Sequence, residues 1–201
     1  MKLLVIRHGQ SKADILNVHE GRADFELTEL GIRQAQAMAN WVAREYDVKR
    51  IYSSPLKRAR QTAEQLAKIV GLEVQEETDL MEFNNGLLAG LTRAEANEKY
   101  PRVPGLPLHA AVYGQESALE FRFRAERVIS RIIAENADDS TIAIFSHGGT
   151  INRLYQAFVR LSVDTDVSWS TGDTGIHEWH ILPGLRRIIM SNSLTHLDGV
   201  E

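Results

Sequence analysis

The chain has 201 residues, a formal net charge of −4 and no cysteine, and its pI is near 6. This length suits one domain with a large core, so residues 1–201 are expected to form a single domain. The lack of cysteine excludes disulfides and thiolate metal sites, and the slightly acidic charge gives no indication of a nucleic-acid partner. No apolar run approaches the roughly 20 residues of a membrane helix, and no signal peptide is evident. We therefore expect a soluble, cytoplasmic protein with no membrane partner.

The first eleven residues combine an apolar strand with two chemically useful side chains. Residues 3–6 form a short apolar run, which is typical of a strand buried on both faces of a parallel sheet. Parallel sheets bind ligands at the carboxyl ends of their strands, and Arg7 and His8 follow this strand directly. Taken alone, these two residues fit a ligand site and a structural strand end about equally well.

The next part of the chain predicts alternating helices and strands after one long polar loop. In order, the pattern predicts a polar loop at 11–27, a helix from its cap Thr28 to about residue 43, a strand at 50–53, a helix to residue 70 and a strand at 72–75. A loop of that length inside a compact domain usually has a function. Ser54 and Pro55 have the residue types of a helix N-cap and first position, and Gly71 those of a helix end.

The second half of the chain begins with two helix signals. Thr92 with Glu95, and Ser117 with Glu120, form capping boxes that each predict the start of a helix. Proline-rich residues 101–107 between them form a loop that could overhang a site. Further on, the pattern predicts an apolar strand from about residue 141, a helix from about 150 to 160, and paired strands at 174–182 and 185–190.

Two residues in this pattern have open interpretations. Arg58 lies in the first turn of its predicted helix, where free backbone amides also favour an anion, yet periodicity alone does not separate it from a solvated arginine. Glu82 stands between Met81 and Phe83, so it is either an exposed loop acid or a partly buried one.

The remaining histidines give little support for a metal site. His177 and His180 are an odd number of residues apart on a predicted strand, which places them on opposite faces. His19, His109 and His196 are predicted to be loop, tail or packing residues. The sequence therefore favours a protein without a zinc site.

A second His-Gly pair, far from the first, favours the functional interpretation. His147 and Gly148 follow another apolar strand, as His8 and Gly9 follow the first. The chain here resembles the histidine phosphatase superfamily, the phosphoglycerate-mutase-like proteins, which carry Arg-His-Gly near the N-terminus and a second His-Gly downstream. The segment around Arg58, with Ala59, Gln61, Thr62 and Ala63, continues the resemblance, which covers nearly the whole chain. It implies an α/β fold, a three-layer αβα sandwich with a mostly parallel central sheet.

The resemblance also implies an activity: metal-independent, cofactor-free hydrolysis of a small phosphomonoester through a phosphohistidine. Its implied roles are His8 as nucleophile, Glu82 as general acid and base, and Arg7, Arg58, His147 and the amide of Gly148 as the phosphate pocket. Asp14 stands where many relatives carry an asparagine that donates to the phosphate. An acid there must be protonated, turned away or paired, so its phosphate contact stays open.

Three alternatives to a phosphatase remain. A cofactor-dependent phosphoglycerate mutase would carry Arg and Tyr after the catalytic Glu and a longer insertion before the second His-Gly, whereas Phe83, Asn84 and Asn85 follow Glu82 here. A non-catalytic phosphate-ligand binding module is disfavoured because His8 and Glu82 are intact. An unrelated doubly wound nucleotide binder would need a glycine fingerprint that the chain lacks. Neither the oligomeric state nor the physiological substrate is predicted.

Overall fold

Residues 1–200 are described by a computed structural model, and within them six strands form one sheet that is accompanied by six α-helices. The strands are β1 (Lys2–Arg7), β2 (Val48–Ser53), β3 (Val74–Glu76), β4 (Thr141–Ser146), β5 (Ile176–Leu182) and β6 (Leu185–Ser193). The helices are α1 (Lys12–Leu16), α2 (Glu29–Glu45), α3 (Lys57–Val70), α4 (Arg93–Lys99), α5 (Ala118–Glu135) and α6 (Gly148–Phe158).

The sheet is mostly parallel, as expected. Its strand order is β3-β2-β4-β1-β5-β6, and only β5 runs against its two neighbours. In the centre, β1 and β4 pair in parallel with Arg7 opposite Ser146. Because parallel strands end at the same edge of the sheet, the residues that follow these two, His8 and His147, leave the sheet side by side.

Helices cover both faces of the sheet, which confirms the three-layer αβα architecture. Successive side chains of β1 point to opposite faces, so Leu3 and Val5 belong to one apolar cluster and Leu4 and Ile6 to the other. The first cluster is completed by α5 and α6, and the second by α2 and α3. Each fully buried side chain of this kind contributes roughly 2 kcal/mol by leaving water, so the core holds β1 and β4 rigidly.

Several predicted boundaries are wrong by two or three residues, among them the start of β2 at Val48, the start of β5 at Ile176 and the end of β6 at Ser193. Helix α3 begins at Lys57 rather than after Ser54, because the amide of Ser54 donates to Phe145 in β4 and its hydroxyl contacts His147. The first helical amide, that of Lys57, is instead bonded to Asp24 from the polar loop. Helix α6 begins at Gly148, two residues before Thr150.

Strand β3 also begins later than predicted. Gly71 ends α3 in the left-handed region, as expected, but the amide of Leu72 still bonds back to Ala67. The chain therefore has to leave the helix before it can pair with β2, and pairing starts at Val74.

Helix α1 lies inside the segment that is predicted to be irregular. Ser11 accepts a hydrogen bond from the amide of Asp14, and the Asp14 carboxylate accepts one from the amide of Ser11. This is the same capping-box signal that correctly predicts α4 and α5. Among residues 1–200, no helix combines the length and the apolar character that crossing a bilayer requires.

Candidate active site

His8 lies at the carboxyl end of β1 with its imidazole almost wholly buried. Its Nδ1 is 2.7 Å from the carbonyl oxygen of Gly9. A carbonyl only accepts hydrogen bonds, so Nδ1 carries the proton and Nε2 keeps its lone pair. Burial, reinforced by the positive charges of Arg58 and Arg7, holds the pKa of His8 well below the usual histidine value. His8 is therefore a neutral imidazole whose Nε2 carries an electron pair and no proton.

The turn after His8 requires glycine on both of its sides. A Cβ at Gly9 would lie 2.5 Å from the carbonyl oxygen of Gly31 in α2, and one at Gly31 would lie 2.0 Å from that of Gln10. Both distances are far below van der Waals contact. The amide of Gly9 donates to the hydroxyl of Thr62 in α3 at 3.1 Å. Close packing of α2 and α3 thus fixes the position of the His8 ring.

His147 ends β4 beside His8, with 5.0 Å between the two ring centroids. The imidazole is buried, and its Nε2 is 2.8 Å from the hydroxyl of Ser54. Its Nδ1 has no hydrogen-bond partner in the described part of the chain. Burial first, and then the charge of Arg58, lowers the pKa of His147 well below the usual value. Buried polar groups normally have a hydrogen-bond partner. Nδ1 of His147 has none among residues 1–200, so a bound ligand could provide it.

Arg58 brings a buried positive charge to the same point. Its side chain has no solvent exposure, and its terminal nitrogens donate to the carbonyl oxygens of Gly21 and Ala23, each at 2.9 Å. A third donor, Nε, donates to Nε2 of His8 at 3.3 Å. Burial lowers the pKa of Arg58, but a guanidinium keeps its charge over the whole range in which proteins work.

Arg7 approaches from the other side, beside the first turn of α6. Its Nη1 donates to the carbonyl oxygen of Thr171 at 2.7 Å, and its Nη2 lies 3.3 Å from the carboxylate of Asp173. Its Nε is buried without a partner among residues 1–200. A Cβ at Gly148 would be 3.9 Å from that Nε, so the guanidinium and the start of α6 flank one space.

The carboxylate of Glu82 is held at the amino end of α6. One oxygen accepts from the amide of Gly149 at 2.9 Å, and the other accepts from the amide of Phe83 at 2.7 Å and from the hydroxyl of Thr150 at 3.3 Å. The side chain is partly buried, which agrees with one of the two interpretations of the sequence.

Five predicted site residues therefore converge, and two others need comment. Gly148 is the first residue of α6, and a Cβ there would lie 3.9 Å from Nε of Arg7, while the next residue, Gly149, donates to Glu82. Asp14 is exposed, and its carboxylate accepts hydrogen bonds from the amide and the hydroxyl of Ser11. Of the three options for this acid, pairing is the one that the structure shows.

The sequence interpretation did not select several side chains that contact the site. The carboxylate of Glu20 lies 3.4 Å from Nε of Arg58 and 3.7 Å from Nε2 of His8. Ser54 contacts His147, and Thr171 and Asp173 hold Arg7. These residues lie in loops or at strand ends, where periodicity carries no information about side-chain direction. The only available signal was the length of the polar loop that contains Glu20.

The two histidines of β5 have protein partners. His177 contacts Thr171 and Tyr155, whereas His180 contacts Glu178, in agreement with opposite directions on β5. Within residues 1–200, no group of three or more histidine and acidic side chains is arranged to hold a metal ion.

Known proteins resemble this chain in sequence and in fold. Residues 3–193 match the model of the histidine phosphatase superfamily (branch 1). Phosphoserine phosphatase 1 of Hydrogenobacter thermophilus is 30% identical over 201 residues, covering 97% of this chain and 93% of that protein. Glucosyl-3-phosphoglycerate phosphatase of Mycobacterium tuberculosis is 30% identical over 197 residues, covering 91% and 85%.

A solved structure extends the likeness to three dimensions. The mycobacterial glucosyl-3-phosphoglycerate phosphatase in complex with VO3 superposes with a TM-score of 0.83 at 28% identity, covering 96% of this chain and 98% of that one. The family match, the two His-Gly strand ends and their shared sheet edge agree. This chain therefore belongs to branch 1 of the histidine phosphatase superfamily.

Proposed function

We propose that the protein is a phosphoric monoester hydrolase that acts on small phosphorylated molecules through a phosphohistidine on His8. The observation that carries this proposal is the state of His8: its Nδ1 proton is held by Gly9, and its Nε2 lone pair faces the donor of Arg58. A neutral nucleophile next to a buried cation is suited to attack a phosphorus whose oxygens that cation binds.

The phosphate pocket of the proposal uses groups that have unused donors. Arg7 and Arg58 offer planar guanidinium donors that match phosphate oxygens. Nδ1 of His147 and Nε of Arg7 are buried and unpartnered among the described residues, and the amide of Gly148 lies at the amino end of α6. A bound phosphate would give these groups the partners that burial demands.

Two displacements at phosphorus complete the proposed reaction. Nε2 of His8 bonds to phosphorus while the ester P–O bond breaks, and protonated Glu82 gives its proton to the leaving alkoxide. A water molecule then attacks phosphorus, its proton passes to Glu82, and the P–N bond breaks to release phosphate. Every proton and bond in this sequence is assigned to the chain, the substrate or water, so no step requires a metal.

Two further observations support hydrolysis of small substrates. The relatives are named phosphatases of phosphoserine and of glucosyl-3-phosphoglycerate, both small phosphomonoesters. Positions 83–85, directly after Glu82, carry Phe83, Asn84 and Asn85 and thus no cation for a phosphoglycerate carboxylate. The ring of Phe83 instead packs on Phe121, with 5.3 Å between centroids. The absence of cations at these three positions favours a phosphatase over a mutase.

The test is turnover of p-nitrophenyl phosphate and of a phosphomonoester panel, in chelator, by wild type, His8→Ala and the exposed control His109→Ala. We expect turnover by wild type and by the control, none by His8→Ala, and a phosphoryl adduct on His8 after an alkaline quench. Turnover by His8→Ala at the wild-type rate would refute the nucleophile. Phosphoryl transfer from a bisphosphoglycerate to phosphoglycerate that is faster than hydrolysis would identify a mutase.

We also propose a cytoplasmic location and no nucleic-acid partner, the latter because the composition is slightly acidic.

A further inference from the structure

We infer that Glu20 is a proton-linked competitor of the substrate phosphate: its side chain stands at the anion position between Arg58 and His8, where the ionised carboxylate is held by the charge of Arg58, whereas the protonated form lacks that attraction and is displaced by phosphate. This inference rests on the proposed function, because it concerns the same phosphate pocket. It adds a residue and a pH dependence that the proposed reaction does not contain.

The position of the Glu20 carboxylate is the first observation. Its Oε2 lies 3.4 Å from Nε of Arg58 and 3.7 Å from Nε2 of His8. A phosphorus atom in line for attack must come within roughly 3–3.5 Å of that same Nε2. The terminal nitrogens of Arg58 donate to loop carbonyls, and Nε is the donor directed at His8, at 3.3 Å from its Nε2. A carboxylate and a phosphate would therefore compete for one donor in one place.

The second observation is that the Ser11 hydroxyl contacts two carboxylates but has only one proton to donate. Its single hydroxyl contacts Glu20 Oε1 and also Asp14 Oδ2, the latter at 3.0 Å. One hydroxyl proton can be donated to only one of two carboxylates. Both contacts become hydrogen bonds if one acid is protonated and donates to Ser11, which then donates to the other acid.

Glu20 is the better candidate to hold that proton. Asp14 is exposed to water and already accepts from the amide of Ser11 at 2.7 Å, whereas the Glu20 side chain is only 17% exposed. Burial raises the pKa of Glu20, and the charge of Asp14 adds to the rise, while Arg58, the Ser11 hydroxyl and Arg7 oppose it. The net direction is upward, which brings the titration of Glu20 closer to neutral pH.

The groups that face Glu20 come from three elements. Arg58 belongs to α3, Arg7 and His8 lie at the end of β1, and Ser11 and Asp14 form the start of α1. His8 is neutral because its pKa is lowered, so it adds no positive charge that would hold Glu20 ionised.

The sign of the pH effect follows from linkage. A phosphate dianion beside Glu20 raises the pKa of Glu20 further, so phosphate binding is coupled to proton uptake. Below the pKa that Glu20 has in the phosphate-free protein, Glu20 is already protonated, so phosphate binding requires no proton uptake. Above it, each pH unit weakens phosphate binding by up to about tenfold, until the pKa of the complex is passed.

The experiment measures binding of inorganic phosphate by calorimetry in wild type, Glu20→Gln and Glu26→Gln, from about pH 5 to about pH 8, the range in which groups near neutrality titrate. Phosphate itself titrates in this range, but the comparison between variants cancels that contribution. Glu26→Gln is the matched control: Glu26 lies in the same loop and pairs with Lys12 and Lys57, away from the pocket.

We expect the ratio of dissociation constants, wild type over Glu20→Gln, to be smallest at the acid end and to rise with pH, to about tenfold or more at the alkaline end. Two buffers of different ionisation enthalpy should show proton uptake by wild type that Glu20→Gln lacks. Glu26→Gln should follow wild type. Should Glu20→Gln not fold, Glu20→Ala removes the same carboxylate and serves in the same comparison.

Two results would overturn the inference and leave the proposed function intact. The first is phosphate binding with the same pH dependence in wild type and Glu20→Gln. The second is tighter binding by Glu20→Gln with a ratio that does not change with pH, because the carboxylate would then move aside without taking a proton. Failure of phosphate to bind any of the three proteins at any pH would instead remove the phosphate pocket, and the proposed function with it.

Discussion

The hydroxyl of Ser54 lies 2.8 Å from Nε2 of His147, although 93 residues separate the two in the chain. The same hydroxyl oxygen accepts from the amide of Leu56 at 3.3 Å. When the hydroxyl donates its own proton to Nε2, the proton of the neutral imidazole resides on Nδ1. This arrangement leaves an Nδ1–H on His147, at the nitrogen that has no partner among residues 1–200.

Removal of this hydroxyl should weaken substrate binding. In Ser54→Ala the imidazole loses the partner that sets its tautomer, and a lost hydrogen bond of this kind costs about 1 kcal/mol, or roughly fivefold in affinity. We expect the KM for p-nitrophenyl phosphate to rise about fivefold, with a smaller change in kcat. Ser53→Ala is the control, because the Ser53 hydroxyl donates only to the carbonyl oxygen of Ser54. Equal effects of the two changes would argue against a specific role for Ser54.

Two neighbouring glycines in α6 should respond very differently to alanine. A Cβ at Gly149 would lie 2.6 Å from a carboxylate oxygen of Glu82, whereas one at Gly148 would meet nothing closer than 3.9 Å. Gly149→Ala therefore displaces the proposed proton donor, and we expect kcat to fall by about 100-fold, the lower range for loss of general acid catalysis. The kcat of Gly148→Ala should fall far less. Steady-state kinetics on both variants, with circular dichroism as a fold check, measures this; similar losses would contradict the assigned position of Glu82.

Asp173 should act as a positioning residue for Arg7. Its carboxylate is 3.3 Å from Nη2 of Arg7, and the backbone of Thr171 holds Nη1. Asp173→Asn removes the charge that orients the guanidinium, so we expect the KM to rise by about threefold to tenfold, or roughly 1 kcal/mol, with kcat less affected. The exposed Asp166 in the same loop provides the control Asp166→Asn. A fall in kcat at unchanged KM would contradict a positioning role in binding.

Acid should destabilise the protein through its buried neutral histidines. Burial lowers the pKa of His196 to about 4, against roughly 6.5 for an unfolded histidine. As pH falls through 6.5, the unfolded chain takes up a proton that folded His196 does not, so stability is lost between about pH 6.5 and about pH 4. At about pH 5 the loss from this residue alone is about 2 kcal/mol.

The matched variant is His196→Gln, which keeps a donor for Thr174, the partner of His196 at 2.8 Å. Urea unfolding at about pH 7 and about pH 5 should show a free energy of unfolding that falls by about 2 kcal/mol less in the variant than in wild type. The same fall in both proteins would show that His196 is not among the groups that make the fold acid-sensitive.

The sequence by itself determined the framework of the site. Apolar runs that end in His8 and in His147 predicted two buried parallel strands, and the parallel pairing of β1 and β4 places both histidines at one edge. Burial on both faces leaves such strands little freedom, so a local pattern is enough to identify them. The capping boxes at Thr92 and Ser117 correctly predicted the starts of α4 and α5, because the sequence signal and the structure that it forms involve the same few residues.

Only the tertiary structure decided what surrounds these histidines. The sequence predicts that Ser54 caps α3, but in the structure Ser54 contacts His147 and α3 begins at Lys57. In the sequence, nothing distinguishes Glu20 from the other acids of the polar loop, whereas in the structure it lies next to Arg58 and His8. Loop side chains are directed by partners far away in the chain, and no periodicity records those partners. The sequence therefore determines where His8 and His147 lie, and the packing of loops around them decides which charged groups they contact.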